Sequence, residues 1–142
     1  MLLYLDTSCM AKLFIEEPDA LRVRNAVAQA TGLATSVVSY VEMKSLVARR
    51  SREKLLKPAE AKRILDVFES DWAHYAKVPV EDPLLHRAAR LVARYPLRTL
   101  DALHLASALS LMSAGKGALW FLTADQRLRD AAGREKMKVD FS

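Results

Sequence analysis

Apolar positions along the chain follow two kinds of pattern. Leu2-Leu3-Tyr4-Leu5 and Leu119-Trp120-Phe121-Leu122-Thr123 are short, nearly unbroken apolar runs. Alternate side chains of a strand point to opposite faces, so a continuous apolar run suits a strand covered on both sides, as in a parallel sheet. Leu33-Ala34-Thr35 is a shorter strand candidate. Lys77-Val78-Pro79-Val80 reads as an edge strand, where a proline is tolerated, and Met137 to Phe141 as a last strand.

Between these runs, apolar spacing and capping residues predict helices. Ser8 is placed to cap a short helix to about Ile15, broken by Glu17-Pro18-Asp19. Ala20 to about Ala30 follows, with Leu21, Val23 and Val27 apolar and Gly32 as its end. Ser36 or Ser39 opens a long helix through Glu42 to about Leu55. Pro58 suits the first turn of a helix ending near Tyr75, and Asp82-Pro83 starts one that stops before Pro96. Thr99 to Ser113 is another helix, stopped by Gly115, and Asp125 caps a short one. This alternation predicts an α/β fold in one domain, residues 1–142, with a central parallel sheet of about five strands and helices on both faces.

Composition narrows the class. With 51% hydrophobic and 27% charged residues, the chain is globular rather than disordered. A net charge of +5 favours a polyanionic partner such as nucleic acid. Cys9 is the only cysteine, so no intrachain disulfide forms and a reducing, cytoplasmic setting is expected. Asp6 interrupts the first apolar run and no basic segment precedes it, so no signal peptide is expected. The most apolar long stretch, Leu97 to Leu122, carries Arg98, Asp101, His104 and Lys116, so no membrane span is expected.

The candidate chemistry lies in four acids. Asp6 and Asp125 each follow an apolar strand, and the carboxyl edge of an open α/β sheet is where ligands bind. Whether those strands are neighbours is open at this level. Glu42 has Val38 and Leu46 one turn away, and a carboxylate on an apolar face is costly unless paired or bound to a cation. The plainer reading is a boundary glutamate that reaches water or pairs with Lys44 or Arg49. Asp101 lies in a first helical turn, where the macrodipole favours an acid, and Asp125 reads equally well as an N-cap. Asp6 has the weakest such explanation. Together, an oxygen-only set suits Mg²⁺ or Mn²⁺, which can activate a water and stabilise a phosphodiester's transition state.

Other residues carry weaker signals. His104 follows Asp101 by one helical step; a general base is one reading, and a histidine packed or hydrogen-bonded among helices is the favoured one. His74 and His86 show no partner spacing. Cys9 reads as a small buried apolar residue, and Trp72 and Trp120 as core. Arg49, Arg50 and Arg52, with Lys44, Lys54, Lys57, Lys62 and Arg63, form a basic region after Glu42, and Arg87, Arg90 and Arg94 share a helix face. Solvated faces explain such runs, yet an RNA tract passing the acids needs cations for its phosphates.

The ordered set Tyr4-Leu5-Asp6-Thr7-Ser8 with Glu17-Pro18, Thr35-Ser36-Val37-Val38-Ser39-Tyr40-Val41-Glu42, Leu100-Asp101-Ala102-Leu103-His104-Leu105-Ala106 and Leu122-Thr123-Ala124-Asp125 resembles a PIN-domain ribonuclease of the VapC toxin type. The resemblance covers nearly the whole chain. It implies a parallel sheet with acids at its carboxyl edge and Mg²⁺- or Mn²⁺-dependent endonucleolytic cleavage of RNA, with tRNA or ribosomal loops as targets. It also implies a type II toxin–antitoxin pair with a cognate antitoxin that blocks the site, and a homodimer. Asp6, Glu42, Asp101 and Asp125 match the family's metal-binding acids; Ser8 matches a polar residue beside the first, and Thr123 a hydroxyl near the last. Where some members carry a further acid after the fourth, this chain has Gln126 and Arg127. The alternatives are a non-catalytic PIN-fold module that binds RNA or protein and a phosphoacceptor receiver domain. The full acid set argues against the first. The second is opposed because only Asp6 follows the first strand and no lysine closes the last buried strand before a proline.

Overall fold

The computed structural model describes residues 1–115 and 118–139. Four parallel strands, β1 (Leu2–Leu5), β2 (Gly32–Ser36), β3 (Ala76–Val78) and β4 (Leu119–Leu122), form one sheet in the order β3-β2-β1-β4. Seven helices surround it among the described residues: α1 (Thr7–Ala11), α2 (Ala20–Gln29), α3 (Val38–Arg52), α4 (Pro58–Trp72), α5 (Asp82–Arg94), α6 (Thr99–Ser113) and α7 (Gln126–Arg134). The chain builds outward from β1 through β2 to β3, then returns to place β4 on the other side of β1. The reversal of winding therefore falls between β1 and β4, where Leu5 pairs with Leu122.

The apolar runs are covered on both faces, as the pattern predicted. Leu3, Leu5 and Leu122 turn to one side and pack with Met10, Val23, Met43 and Phe68 of α1 to α4. Tyr4, Ala34, Leu119 and Phe121 turn to the other, against Leu84, Leu91, Leu105, Leu109 and Leu128 of α5 to α7. Burying one such side chain contributes about 1.5–3 kcal/mol. Packing, rather than local propensity, thus holds strands this short. α6 is buried without interruption from Ala102 to Leu109, because it lies between the sheet and other helices. That position brings its first turn, with Asp101, to the carboxyl edge of the sheet.

Several boundaries differ from the sequence pattern. Asp6, not Ser8, is the N-cap of α1, and α1 ends at Ala11, with a further turn before Glu17-Pro18. Glu81 rather than Asp82 precedes α5 as its cap position. β3 starts at Ala76 and ends at Val78, leaving Pro79 just outside the edge strand it was assigned to. α4 stops at Trp72 and α3 at Arg52, each about a turn early. The expected fifth strand is reduced to one parallel bridge, Trp120 with Lys138, and the Phe121 N–H donates to the Lys138 carbonyl at 2.8 Å. Residues 140 and 141 of that expected strand lie outside the described residues.

Candidate active site

Asp6 is the centre of the carboxyl edge. It stands where β1 ends and α1 begins, 4% exposed, and its backbone N–H donates to the Leu122 carbonyl of β4. Its Oδ1 accepts from the Ser8 hydroxyl (2.7 Å) and the Cys9 N–H (3.0 Å); its Oδ2 accepts from the Thr123 hydroxyl (2.5 Å). The same hydroxyls also hold the loop after β4: Ser8 Oγ accepts from the Ala124 N–H and Thr123 Oγ1 from the Asp125 N–H. Ser8 and Thr123 therefore pin Asp6 and the start of α7 together. Asp6 thus has an ordinary structural role as a cap, which its position at a strand end concealed. With two donors on Oδ1 and one on Oδ2, a lone pair of Oδ2 is left over.

Asp125 caps α7 by accepting from the Arg127 and Leu128 N–H groups. Asp101, in the first turn of α6, accepts from the Arg98 N–H at 3.4 Å. Burial pushes the Asp101 carboxyl above its ordinary range; the Arg98 N–H works against this, and the charges of Asp125 and Asp6 add to it. The fold has thus brought three acids from β1, α6 and the β4–α7 junction within electrostatic reach of one another at the switch point.

Glu42 is placed differently. Its Oε1 accepts from the Thr7 hydroxyl at 2.7 Å and bonds His104 Nε2 at 2.8 Å. Neither Lys44 nor Arg49 is its partner: Lys44 pairs with Glu69 at 2.6 Å, and Arg49 lies 4.0 Å from Glu53. Partial burial pushes the Glu42 carboxyl up, but the His104 and Thr7 hydrogen bonds outweigh it and hold the group below its ordinary range. His104 is 3% exposed, and its hydrogen bonds run to Glu42 on α3, to the Thr7 hydroxyl on α1 at 3.3 Å and to Tyr4 on β1. The sequence motifs contain Tyr4 and Thr7, but no pattern in them assigned either a role at the site. The strand period held the signal for Tyr4, which shares a face with Asp6 two residues on.

The donor set is chemically that of a hard cation, since Asp6, Asp101 and Asp125 offer carboxylate oxygen and no sulfur or imidazole lies among them. Among the described residues, no three His, Cys, Asp or Glu side chains already converge closely enough to hold an ion. What fits the group is the mutual repulsion felt at Asp101, which a cation would neutralise.

The basic residues divide by place. Arg50 is tied to Glu17 at 3.1 Å, and Glu17 also faces the buried Lys12 at 3.5 Å, so the Glu17-Pro18 turn is clamped onto α3. Arg49 and Arg52 lie about 10–15 Å beyond Glu42 along the helix axis, at 1.5 Å per residue. Arg87, Arg90 and Arg94 line a cleft of about 250 Å³ with Leu109, Ser113 and Glu135, and Arg94 pairs with Glu135 at 3.0 Å. Cys9 is 1% exposed, in the core as expected, whereas Trp72 and Trp120 are only partly buried. No helix among the described residues is long and apolar enough to cross a membrane.

A parallel sheet with its acids gathered at one switch point defines an acid-edged α/β protein. The family model for the PIN domain matches residues 3–134, and the chain belongs to that family. Ribonuclease VapC47 of Mycobacterium tuberculosis (strain CDC 1551 / Oshkosh) is 30% identical over 131 residues, spanning 89% of this chain and 87% of that protein. FitAcB from Neisseria gonorrhoeae shares the fold with a TM-score of 0.70 at 18% identity, covering 99% of this chain and 97% of that one. A toxin–antitoxin complex from Klebsiella pneumoniae contains a chain of the same fold, with a TM-score of 0.63 at 16% identity and 88% of each chain covered.

Proposed function

We propose that the protein is a Mg²⁺- or Mn²⁺-dependent endoribonuclease and the toxin of a type II toxin–antitoxin pair. The carrying observation is the set Asp6, Asp101 and Asp125 at the β1–β4 switch point, with the Asp101 carboxyl pushed up by burial and further by the charges of Asp125 and Asp6. Kinship with Ribonuclease VapC47 supports the ribonuclease reading, and the toxin–antitoxin complex of the same fold supports a protein antitoxin as partner. Asp6, Asp101 and Asp125 would hold the cation, with Glu42 as the fourth carboxylate. Such a cation, when bound, would activate a water and place positive charge beside the scissile phosphate. Ser8 and Thr123 keep Asp6 in place through their hydroxyls, and Thr7 and His104 keep Glu42 ionised. No side chain needs to bond covalently to phosphorus. The RNA target, tRNA or ribosomal, and a homodimeric assembly belong to the same proposal.

The test is cleavage of purified structured RNA. With Mg²⁺ or Mn²⁺ the chain should cut, and EDTA should stop it. Equal cutting in a rigorously chelated sample would remove the metal mechanism. Salt-dependent binding of RNA without cleavage in any metal would favour the non-catalytic module instead.

The proposal extends to the RNA path. Arg50 is committed to Glu17, so the pair to vary is Arg49 and Arg52. The exposed Arg49–Glu53 contact is worth little and leaves Arg49 available. The double variant Arg49→Gln, Arg52→Gln should weaken RNA binding and flatten the slope of log affinity against log salt by about one to two units. Melting temperature should stay within a degree or two. An unchanged slope in a filter-binding titration would return these arginines to the solvated surface.

A further inference from the structure

We propose that Tyr4 and His104 form a positioning relay that fixes the Glu42 carboxylate, with the His104 ring in its Nε2–H tautomer. The inference rests on the reading of Glu42 as one of the acids of the cation site, and it concerns residues that touch neither cation nor RNA.

The relay crosses three elements. Tyr4 Oη on β1 lies 2.8 Å from His104 Nδ1 on α6, and His104 Nε2 lies 2.8 Å from Glu42 Oε1 on α3. Proton directions follow from the groups themselves. An ionised carboxylate only accepts, so Nε2 carries the proton that faces Glu42. In the neutral ring that the proposal assigns there is one N–H, so Nδ1 is an acceptor and the Tyr4 hydroxyl supplies its donor.

Tyr4 is itself packed on every side. It is fully buried, its ring stacks on Phe121 at 5.4 Å between centroids, and it meets the His104 ring edge-on at 5.9 Å. Phenylalanine and leucine would fill the same space without taking a hydroxyl and an imidazole out of water, a cost that only complete hydrogen bonding offsets. The bonds that complete the pair on the solvent side are those to Glu42. The Thr7 hydroxyl donates to the same Oε1 at 2.7 Å. Thr7 Oγ1 also lies 3.1 Å from Ser39 Oγ, which contacts Thr35 Oγ1 at 2.8 Å, and the Thr35 hydroxyl donates to the Leu5 carbonyl. Two donors therefore saturate Oε1, and among the described residues none donates to Oε2. Glu42 is held by one oxygen and offers the other.

The experiment measures Mn²⁺ binding by calorimetry without RNA, together with ¹⁵N NMR of the His104 ring, for wild type, Tyr4→Phe, His104→Ala, His104→Gln and Glu42→Gln. Tyr4→Phe keeps the ring stack on Phe121 and removes only the hydroxyl. It should leave Nδ1 without its donor, loosen the ring and weaken Mn²⁺ binding by about tenfold, the usual size of an outer-shell effect. His104→Ala should lose at least as much. His104→Gln, whose amide can donate to Glu42, should recover most of the affinity, which a purely space-filling role would not require. An Nδ1–H tautomer in wild type, or equal Mn²⁺ affinity in wild type, Tyr4→Phe and His104→Ala, overturns the relay. If Glu42→Gln alone weakens binding, the cation site stands and only the relay fails. If wild type binds no Mn²⁺, the cation reading fails and the relay's purpose with it.

Discussion

Asp6→Asn is expected to lower RNA cleavage by on the order of a thousandfold, since several kcal/mol of transition-state stabilisation would rest on the proposed cation and each 1.36 kcal/mol is tenfold in rate. The local fold should survive the change. An asparagine Oδ1 can still accept from Ser8 and the Cys9 N–H, so the cap of α1 persists. The amide replaces Oδ2, which is both the acceptor for the Thr123 hydroxyl and the oxygen with a spare lone pair. Hence what is lost is the negative charge and the free acceptor. RNA binding should persist, because it depends on cations meeting phosphate, and it should weaken steeply with salt. Initial rates on a labelled RNA, with binding measured in parallel at two salt concentrations, check this. Cleavage at the wild-type rate would show that Asp6 is only the cap of α1.

Asp101→Asn should cost a similar factor in cleavage and yet raise the melting temperature of the metal-free protein at neutral pH by a few degrees. The reason is the sign of the linkage. Burial, with the Asp125 and Asp6 charges, raises the folded-state pKa of Asp101 above its unfolded value. A raised carboxyl means that the folded state binds more protons than the unfolded state in the window between the two values. The stabilisation is therefore complete below the unfolded pKa, about 3.9 for an aspartate, and is lost as pH rises through the folded value. At neutral pH the ionised group is a net liability, and a neutral asparagine removes it while keeping an acceptor for the Arg98 N–H. A divalent cation neutralises the same repulsion, so wild type should gain more from Mn²⁺ than the variant does. Thermal melts of both proteins in EDTA and in Mn²⁺, at pH 4 and pH 7, decide the matter. A variant that melts lower in EDTA, beside a wild type indifferent to Mn²⁺, would leave Asp101 as a helix-start aspartate with no part in a shared site.

The opposed behaviour of the acids explains how far the site could be read before the fold was known. Asp125 and Asp101 each satisfy a local rule, as an N-cap and as a first-turn acid, and a local rule is visible in a short stretch. Asp6 satisfies one too, but the helix it caps is only five residues long and the apolar run before it masks the cap. Glu42 satisfies none. Its partners Thr7 and His104 lie 35 and 62 residues away, whereas the bases considered on its own helix, Lys44 and Arg49, have taken other acids. In the same way Arg50 looked like part of a basic face and proved to be the counter-charge of Glu17.

The sequence alone determined the α/β class, both long apolar strands and most of the helices, because burial on two faces and helical periodicity are properties of neighbouring residues. It also determined, through the ordered motifs, the family to which the chain belongs. The tertiary structure alone decided that β4 lies beside β1, that Ser8 and Thr123 join Asp6 to the start of α7, and that a tyrosine on β1 and a histidine on α6 meet a glutamate on α3. Strand order and side-chain pairing across the sheet depend on which surfaces remain to be buried once every element competes for the same core. That competition joins residues such as Tyr4 and His104, separated by 100 positions, whose proximity no local pattern encodes.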